Sequence, residues 1–153
     1  SEISIGNAAG INGDPLTYCA WVNFASNPGA LDAILGAPAN GAQWLLGTDG
    51  KMNLAKNGVA ILGTSTSAVP TGSFQHIAVT YDHANMIFYL NGVADGTTAN
   101  TTTFSTTNRY IGSDGGTDFY TGAIDDMAIF NAVLTGAQIL TIFQTQSGFF
   151  SIL

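Results

Sequence analysis

Acid–base chemistry by side chains needs paired groups, and this sequence spaces its acids poorly for it. Retaining glycoside hydrolysis, for instance, uses two carboxyls about 5 Å apart on one surface. The single glutamate, Glu2, stands at the start of the sequence, and no stretch that reads as a strand carries an acid-x-acid pair. Asp125 and Asp126 are neighbours, so on an extended strand they point to opposite faces and cannot form a juxtaposed dyad. His76 and His83 have no nearby cysteine and no third histidine to complete a zinc set. Neither has an evident nucleophile partner, and both read as surface residues. No catalytic residue is assigned, and the chain reads as a non-enzyme.

One loop does carry ligand-type chemistry. In Ser113-Asp-Gly-Gly-Thr-Asp-Phe-Tyr120, Asp114 and Asp118 offer oxygens to hydroxyl groups, and Phe119 and Tyr120 offer rings that stack on sugars. The same residues equally suit an ordinary loop in which Phe119 and Tyr120 cap the core, and the sequence leaves both readings open. Trp44, beside Leu45 and Leu46, reads most simply as core.

The 153 residues suit one domain spanning residues 1–153, long enough to bury a two-layer core without staples. Three Lys and Arg stand against ten Asp and Glu, a net charge of −7, so no basic stripe exists to neutralise phosphates. Nucleic acid and anionic membranes are therefore disfavoured as partners. Only 8% of residues are charged, well below the usual quarter. Uncharged polar groups must then solubilise the surface, or partner chains must cover part of it. Cys19 is the only cysteine, which rules out an intrachain disulfide, and it reads as a small buried hydrophobe. No apolar run approaches the roughly 20 residues of a membrane span, so no membrane insertion is expected.

The elements that must position these groups are short strands. After an extended stretch at residues 1–5 and a Gly/Asn/Asp loop, residues 16–24 alternate Leu16, Tyr18, Ala20, Val22 and Phe24 against Thr17, Cys19, Trp21 and Asn23. Strands follow over residues 31–35, 43–47, 51–55 and 59–62. Asp49-Gly50 and Asn57-Gly58 predict type I′ hairpin turns. A polar connection is expected over 64–72, then a strand over 74–82 with Ile77, Val79 and Tyr81 facing the core. Residues 86–91 and 93–95 complete a meander around Asn91-Gly92, and Phe104 marks an edge strand within the Thr-rich run 96–107. Residues 109–112 and 123–130 are the last strands, the latter apolar on both faces and so covered on both. Thr135-Gly-Ala-Gln138 has capping-box spacing before Ile139, Leu140 and Phe143, which predicts a short helix that plugs one end of the fold.

Gly122-Ala-Ile-Asp-Asp-Met-Ala-Ile-Phe-Asn-Ala-Val-Leu134 with the following Gln138-Ile-Leu-Thr-Ile-Phe143 resembles the closing signature of laminin G-like, concanavalin A-like jelly rolls. Phe74-Gln-His-Ile-Ala-Val-Thr-Tyr-Asp82, Ile87-Phe-Tyr-Leu-Asn-Gly92 and Tyr110-Ile-Gly112 resemble the family's central hairpin and the strand before its last crossover. The resemblance covers about residues 16–143 and implies an all-β fold, an antiparallel two-sheet jelly-roll sandwich with one short C-terminal helix. It also matches Asp125 to the family's characteristic aspartate of that strand. Two roles follow: holding the N-terminal loop through its backbone N–H groups, or ligating calcium with loop carbonyls and Asp14.

Fold alone does not fix function. The expected role is a non-catalytic structural or display module, of the capsid-decoration or cement type on a virion surface, acting through protein–protein contacts. The apolar tail Gly148-Phe-Phe-Ser-Ile-Leu153 is expected either to pair with the N-terminal strand or to dock on a neighbour, in which case Phe149, Phe150, Ile152 and Leu153 form the interface of a homo-oligomer or larger assembly. The alternative is a carbohydrate-binding or adhesion module, with calcium as its possible cofactor and glycans as its partners. Either role is expected at a virion surface or outside the cell.

Overall fold

The computed structural model describes residues 2–7 and 15–150, with Phe149 and Phe150 described by their backbone alone. In chain order the strands are β1 (Ile3–Gly6), β2 (Leu16–Asn23), β3 (Asp32–Gly36), β4 (Ala42–Leu46), β5 (Lys51–Lys56) and β6 (Ala60–Ala68). There follow β7 (Gln75–Tyr81), β8 (Asn85–Leu90), β9 (Val93–Ala99), β10 (Arg109–Ile111) and β11 (Ala123–Phe130), and then helix α1 (Gly136–Phe150). They pair into a sheet of order β1-β10-β3-β4-β5-β6 and a second of order β11-β2-β7-β8-β9. Every strand pair is antiparallel.

Side-chain alternation builds the core between these sheets. Leu16, Tyr18, Ala20 and Val22 of β2 and Ile77, Val79 and Tyr81 of β7 face Trp44, Leu46, Met52 and Leu54 of the opposite sheet, all of them buried. Burying each such large side chain contributes about 1.5–3 kcal/mol. Trp44 thus takes its expected core place. Arg109 is also inside, its Nη1 donating to the Ala42 carbonyl and its guanidinium 5.9 Å from the Tyr18 ring.

The far edge of the sandwich is closed by Ser67, whose N–H and Oγ–H both donate to the Asp95 carboxylate, at 3.0 and 2.8 Å. This lies within β6, which runs on to Ala68 where the sequence predicts a polar connection. Hydroxyls replace apolar groups there: Ser65 Oγ accepts from Met52 N–H and Thr64 Oγ1 donates to Asn53 Oδ1. The Thr-rich run likewise divides, into β9 up to Ala99 and an irregular segment. Phe104 lies in the latter, packed edge-on against Tyr81 and not in an edge strand. The type I′ turn is found at Asn91-Gly92, with φ of 50° and 79°. At the other two turns only Gly50 and Gly58 have positive φ, so neither is type I′.

The helix follows the capping box, with Thr135 N–H donating to Gln138 Oε1 at 2.8 Å and Gln138 N–H to Thr135 Oγ1 at 3.3 Å. It does not plug an end, and it continues through 15 residues. It lies over the outer face of the second sheet, where Ile139 packs on Cys19, Ala78 and Tyr89 and Phe143 stacks on Trp21 at 5.8 Å. An apolar outer face on β2 and β7 requires such a cover. His76 is therefore buried and not at the surface, between Trp21 and Phe143 at 5.5 and 5.9 Å.

The expectation for β11 also needs correction. It is an edge strand, and its pairing steps from Asp125 opposite Trp21 to Ala128 opposite Cys19, one residue too many, with Asp126 at φ 47°. This bulge breaks the alternation. Ile124, Met127 and Ile129 face the main core, Ala128 and Phe130 face the helix side, and Asp125 and Asp126 stay exposed.

Candidate functional site

At the end of the sandwich where β2 stops and β11 starts, three loops meet. The β2–β3 loop leaves from Asn23, the β6–β7 loop passes through Gly72, and the β10–β11 loop arrives at Gly122. The backbone ties them together: Gly72 N–H donates to Phe24 O at 2.8 Å and Val69 N–H to Gly50 O at 2.9 Å. Gly72 turns with φ 82°, which favours glycine. Gly122 passes so near Asn23 that a Cβ would lie 2.3 Å from the Asn23 carbonyl oxygen. Between these loops opens a cleft of about 480 Å³ lined by Asn23, Phe24, Ser26, Gly72, Thr121 and Gly122. A smaller recess of about 180 Å³ lies alongside, between Ile3, Ile111, Tyr120 and Ile124 at the sheet edges.

The cleft residues Thr121 and Gly122 follow directly on the predicted ligand loop, residues 113–120, which lies outside the cleft lining. Asp114 closes that loop, its Oδ1 accepting Thr117 N–H at 2.7 Å and its Oδ2 accepting Thr117 Oγ1–H at 2.9 Å. Ser113 Oγ accepts Gly115 N–H and donates to the Glu2 carboxylate. The loop is fastened to β3 at three points: Ala33 N–H to Asp118 O, a parallel bridge between Ala33 and Phe119, and Thr121 N–H to Asp32 Oδ2. Part burial raises the Asp118 carboxyl above its ordinary value, and the nearby charges of Asp114 and Asp32 raise it further.

Asp114, Asp118, Phe119 and Tyr120 thus share one anchored loop, but the two rings part. Phe119 is 47% exposed, whereas Tyr120 packs against the main core. Burial, then the charge of Asp32, pushes the Tyr120 phenol up, and its hydroxyl has no hydrogen-bond partner among the described residues. Sequence reading missed Asn23, Ser26 and Thr121. The usable signal was two glycines: Gly72, whose positive φ favours glycine, and Gly122, whose backbone passes close to that of Asn23.

Asp125 lies away from that loop on the exposed side of β11, and its carboxylate accepts a hydrogen bond from Asp126 N–H, at 2.9 Å. Its suggested calcium partner, Asp14, lies outside the described residues, as do the side chains of the expected interface, Phe149, Phe150, Ile152 and Leu153. Among the described residues, no three His, Cys, Asp or Glu side chains gather as a metal set. No helix among them is long and apolar enough to cross a membrane. His83 is half-buried against Tyr81, its Nδ1 3.3 Å from the phenol oxygen.

Two antiparallel sheets with an outer helix and loops gathered at one end define a jelly-roll sandwich of the lectin-like type. The chain belongs to the concanavalin A-like lectin/glucanases superfamily, whose laminin G 3 profile matches residues 1–140. Comparison with curated protein sequences gives no match. Among solved structures, domain 4 of AbnA, a GH43 extracellular arabinanase from Geobacillus stearothermophilus, solved with arabinotriose, is similar at TM-score 0.69 and 19% identity. That likeness covers 90% of this chain and 69% of the domain. The SAP-like heptameric pentraxin of Limulus polyphemus is similar at TM-score 0.65 and 18% identity, over 86% of this chain and 70% of that one. Trypanosoma rangeli sialidase gives TM-score 0.67 and 18% identity over 87% of this chain, which spans only 23% of the sialidase. At these identities the likeness is one of fold.

Proposed function

We propose that the chain is a non-catalytic carbohydrate-binding module whose ligand lies in the cleft between the β2–β3 and β10–β11 loops. The observation that carries this reading is the cleft itself: about 480 Å³, with the polar side chains of Asn23, Ser26 and Thr121 set among the mainly apolar surface of Phe24, Ala25 and Ala123. That volume suits a short oligosaccharide. Phe24, Ala25 and Ala123 supply the apolar surface for a sugar ring. The arabinotriose complex of the similar arabinanase domain supports the reading. The carboxylates at this end serve the loops: Asp32 holds Thr121 N–H and Asp114 holds Thr117, which suits binding and not acid–base work. The test is a neutral-oligosaccharide array with wild type and Ser26→Trp. Ser26 is exposed, so the indole fills the cleft mouth without disturbing the core. Retention by wild type and loss by the folded variant support the reading; equal retention refutes the site.

A second reading, a display or decoration module on a virion or other surface, is favoured by α1. Its 15 residues include no charged side chain, and Leu140 is 38% exposed beside the 66% exposed Val93 of the second sheet. Sedimentation equilibrium of wild type and Leu140→Glu tests it: a discrete oligomer that the variant dissolves supports assembly through α1, and a monomer in both refutes it. Either role belongs at an extracellular or particle surface.

A further inference from the structure

We infer that the cleft selects uncharged oligosaccharides and turns away anionic ones, whether sialylated, uronic or sulfated; this rests on the carbohydrate-binding reading above. The ground is the distribution of charge around the cleft. Glu2, Asp32, Asp49, Asp114 and Asp118 all belong to the strand starts and loops at this end, and Asp125 and Asp126 follow Ala123 of the cleft wall along β11. Asp49 joins them because the Asp49-Gly50 turn packs on the β2–β3 loop, where a Cβ on Gly50 would lie 2.6 Å from Asn27 Oδ1.

Recognition of a carboxylate or sulfate calls for a guanidinium or ammonium within hydrogen-bond reach. The chain has three cationic side chains in all, Lys51, Lys56 and Arg109. Arg109 is fully buried, facing Tyr18 and the Ala42 carbonyl. Lys56 lies at the opposite end of β5, with its Nζ donating to Thr103 O at 3.0 Å. Lys51, beside the Asp49-Gly50 turn, is the one Lys or Arg at the cleft end among the described residues, against the seven carboxylates named above. Part burial, and after it the charges of Asp114 and Asp32, raise the Asp118 carboxyl, so the carboxylates of this end repel one another. A neutral sugar, by contrast, meets the polar groups of Asn23, Ser26 and Thr121 and the apolar surface of Phe24, Ala25 and Ala123, none of which depends on charge.

The experiment is an array of matched pairs, each a neutral oligosaccharide and the same oligosaccharide with one terminal sialic acid or sulfate, read at 20 mM and 500 mM NaCl. The expected result is binding to neutral members that is indifferent to salt. Acidic partners should bind at least tenfold more weakly at low salt and regain most of that at high salt, as screening shortens the Debye length. Asp118→Asn combined with Asp126→Asn narrows the low-salt gap if the inference holds. Acidic members bound as tightly as neutral ones, or more tightly, overturn the selection while leaving the binding module intact. If no member of either class is retained, the carbohydrate-binding reading itself fails and the inference with it.

Discussion

The indole Nε1 of Trp21 donates a hydrogen bond of 2.9 Å to Gln146 Oε1, joining residues 125 apart in sequence. Together with the stacking of Phe143 on the same indole, it fixes the last turns of α1 to the outer face of the second sheet.

Removing the helix anchor is measurable. Ile139 of α1 is fully buried against the second sheet, and Ile139→Ala is expected to lower stability by about 3 kcal/mol. Gln146→Ala, which leaves the partly buried indole N–H without its partner, is expected to lower it by about 1 kcal/mol. Urea unfolding followed by tryptophan fluorescence checks both values.

His76 makes the same interface sensitive to acid. Its ring nitrogens have no hydrogen-bond partner among the described residues, and burial lowers its pKa to about 4 from 6.5. Below pH 6.5 the unfolded chain takes up the proton first, so stability falls as pH drops from 6.5 towards 4. The sum over that window is about 3 kcal/mol. No charge on α1 opposes the imidazolium or stabilises it, since the helix has none, and the nearest acid by strand pairing is Asp125, opposite Trp21. His76→Phe is expected to flatten the profile between pH 6.5 and 4, measured by denaturation at several pH values.

Cys19 lies under the helix too, its thiol pushed up to about 12 by burial. The native protein is expected to resist a thiol reagent at pH 8 and to titrate one thiol after unfolding in urea. Rapid reaction in the native state would show that α1 opens readily.

Gly122 joins stability to the cleft. Gly122→Ala forces a methyl carbon against the Asn23 carbonyl oxygen, at 2.3 Å if nothing moves. Loss of about 1–3 kcal/mol is expected, with weaker oligosaccharide retention, because β11 and β2 must separate at the cleft. Thermal melts and the array give the two readouts.

The sheets were legible in the sequence because strong alternation leaves few choices. Leu16 to Val22 and Ile77 to Tyr81 have one burial pattern that satisfies both faces, and the pairing of β2 with β7 follows it residue by residue. The Thr135–Gln138 capping box likewise marked the start of α1. What the pattern hid was local or long-range. A bulge at Asp126 shifts later side chains of β11 by one position with no compositional sign. The polar stretch of β6 is held by hydroxyl bonds, not by apolar alternation. His76 looked like a surface residue because the helix that buries it lies some 65 positions later in the chain. The candidate loop was found by its Asp and aromatic residues. The cleft beside it was not, since Asn23, Ser26 and Thr121 meet only through folding.

The most direct test of the carbohydrate-binding account is amide chemical-shift mapping of the ¹⁵N-labelled chain titrated with a neutral oligosaccharide retained on the array. The account predicts saturable shifts concentrated at Asn23, Ser26, Gly72, Thr121 and Gly122. Shifts confined to other surfaces, such as α1 or the outer faces of the sheets, would contradict it.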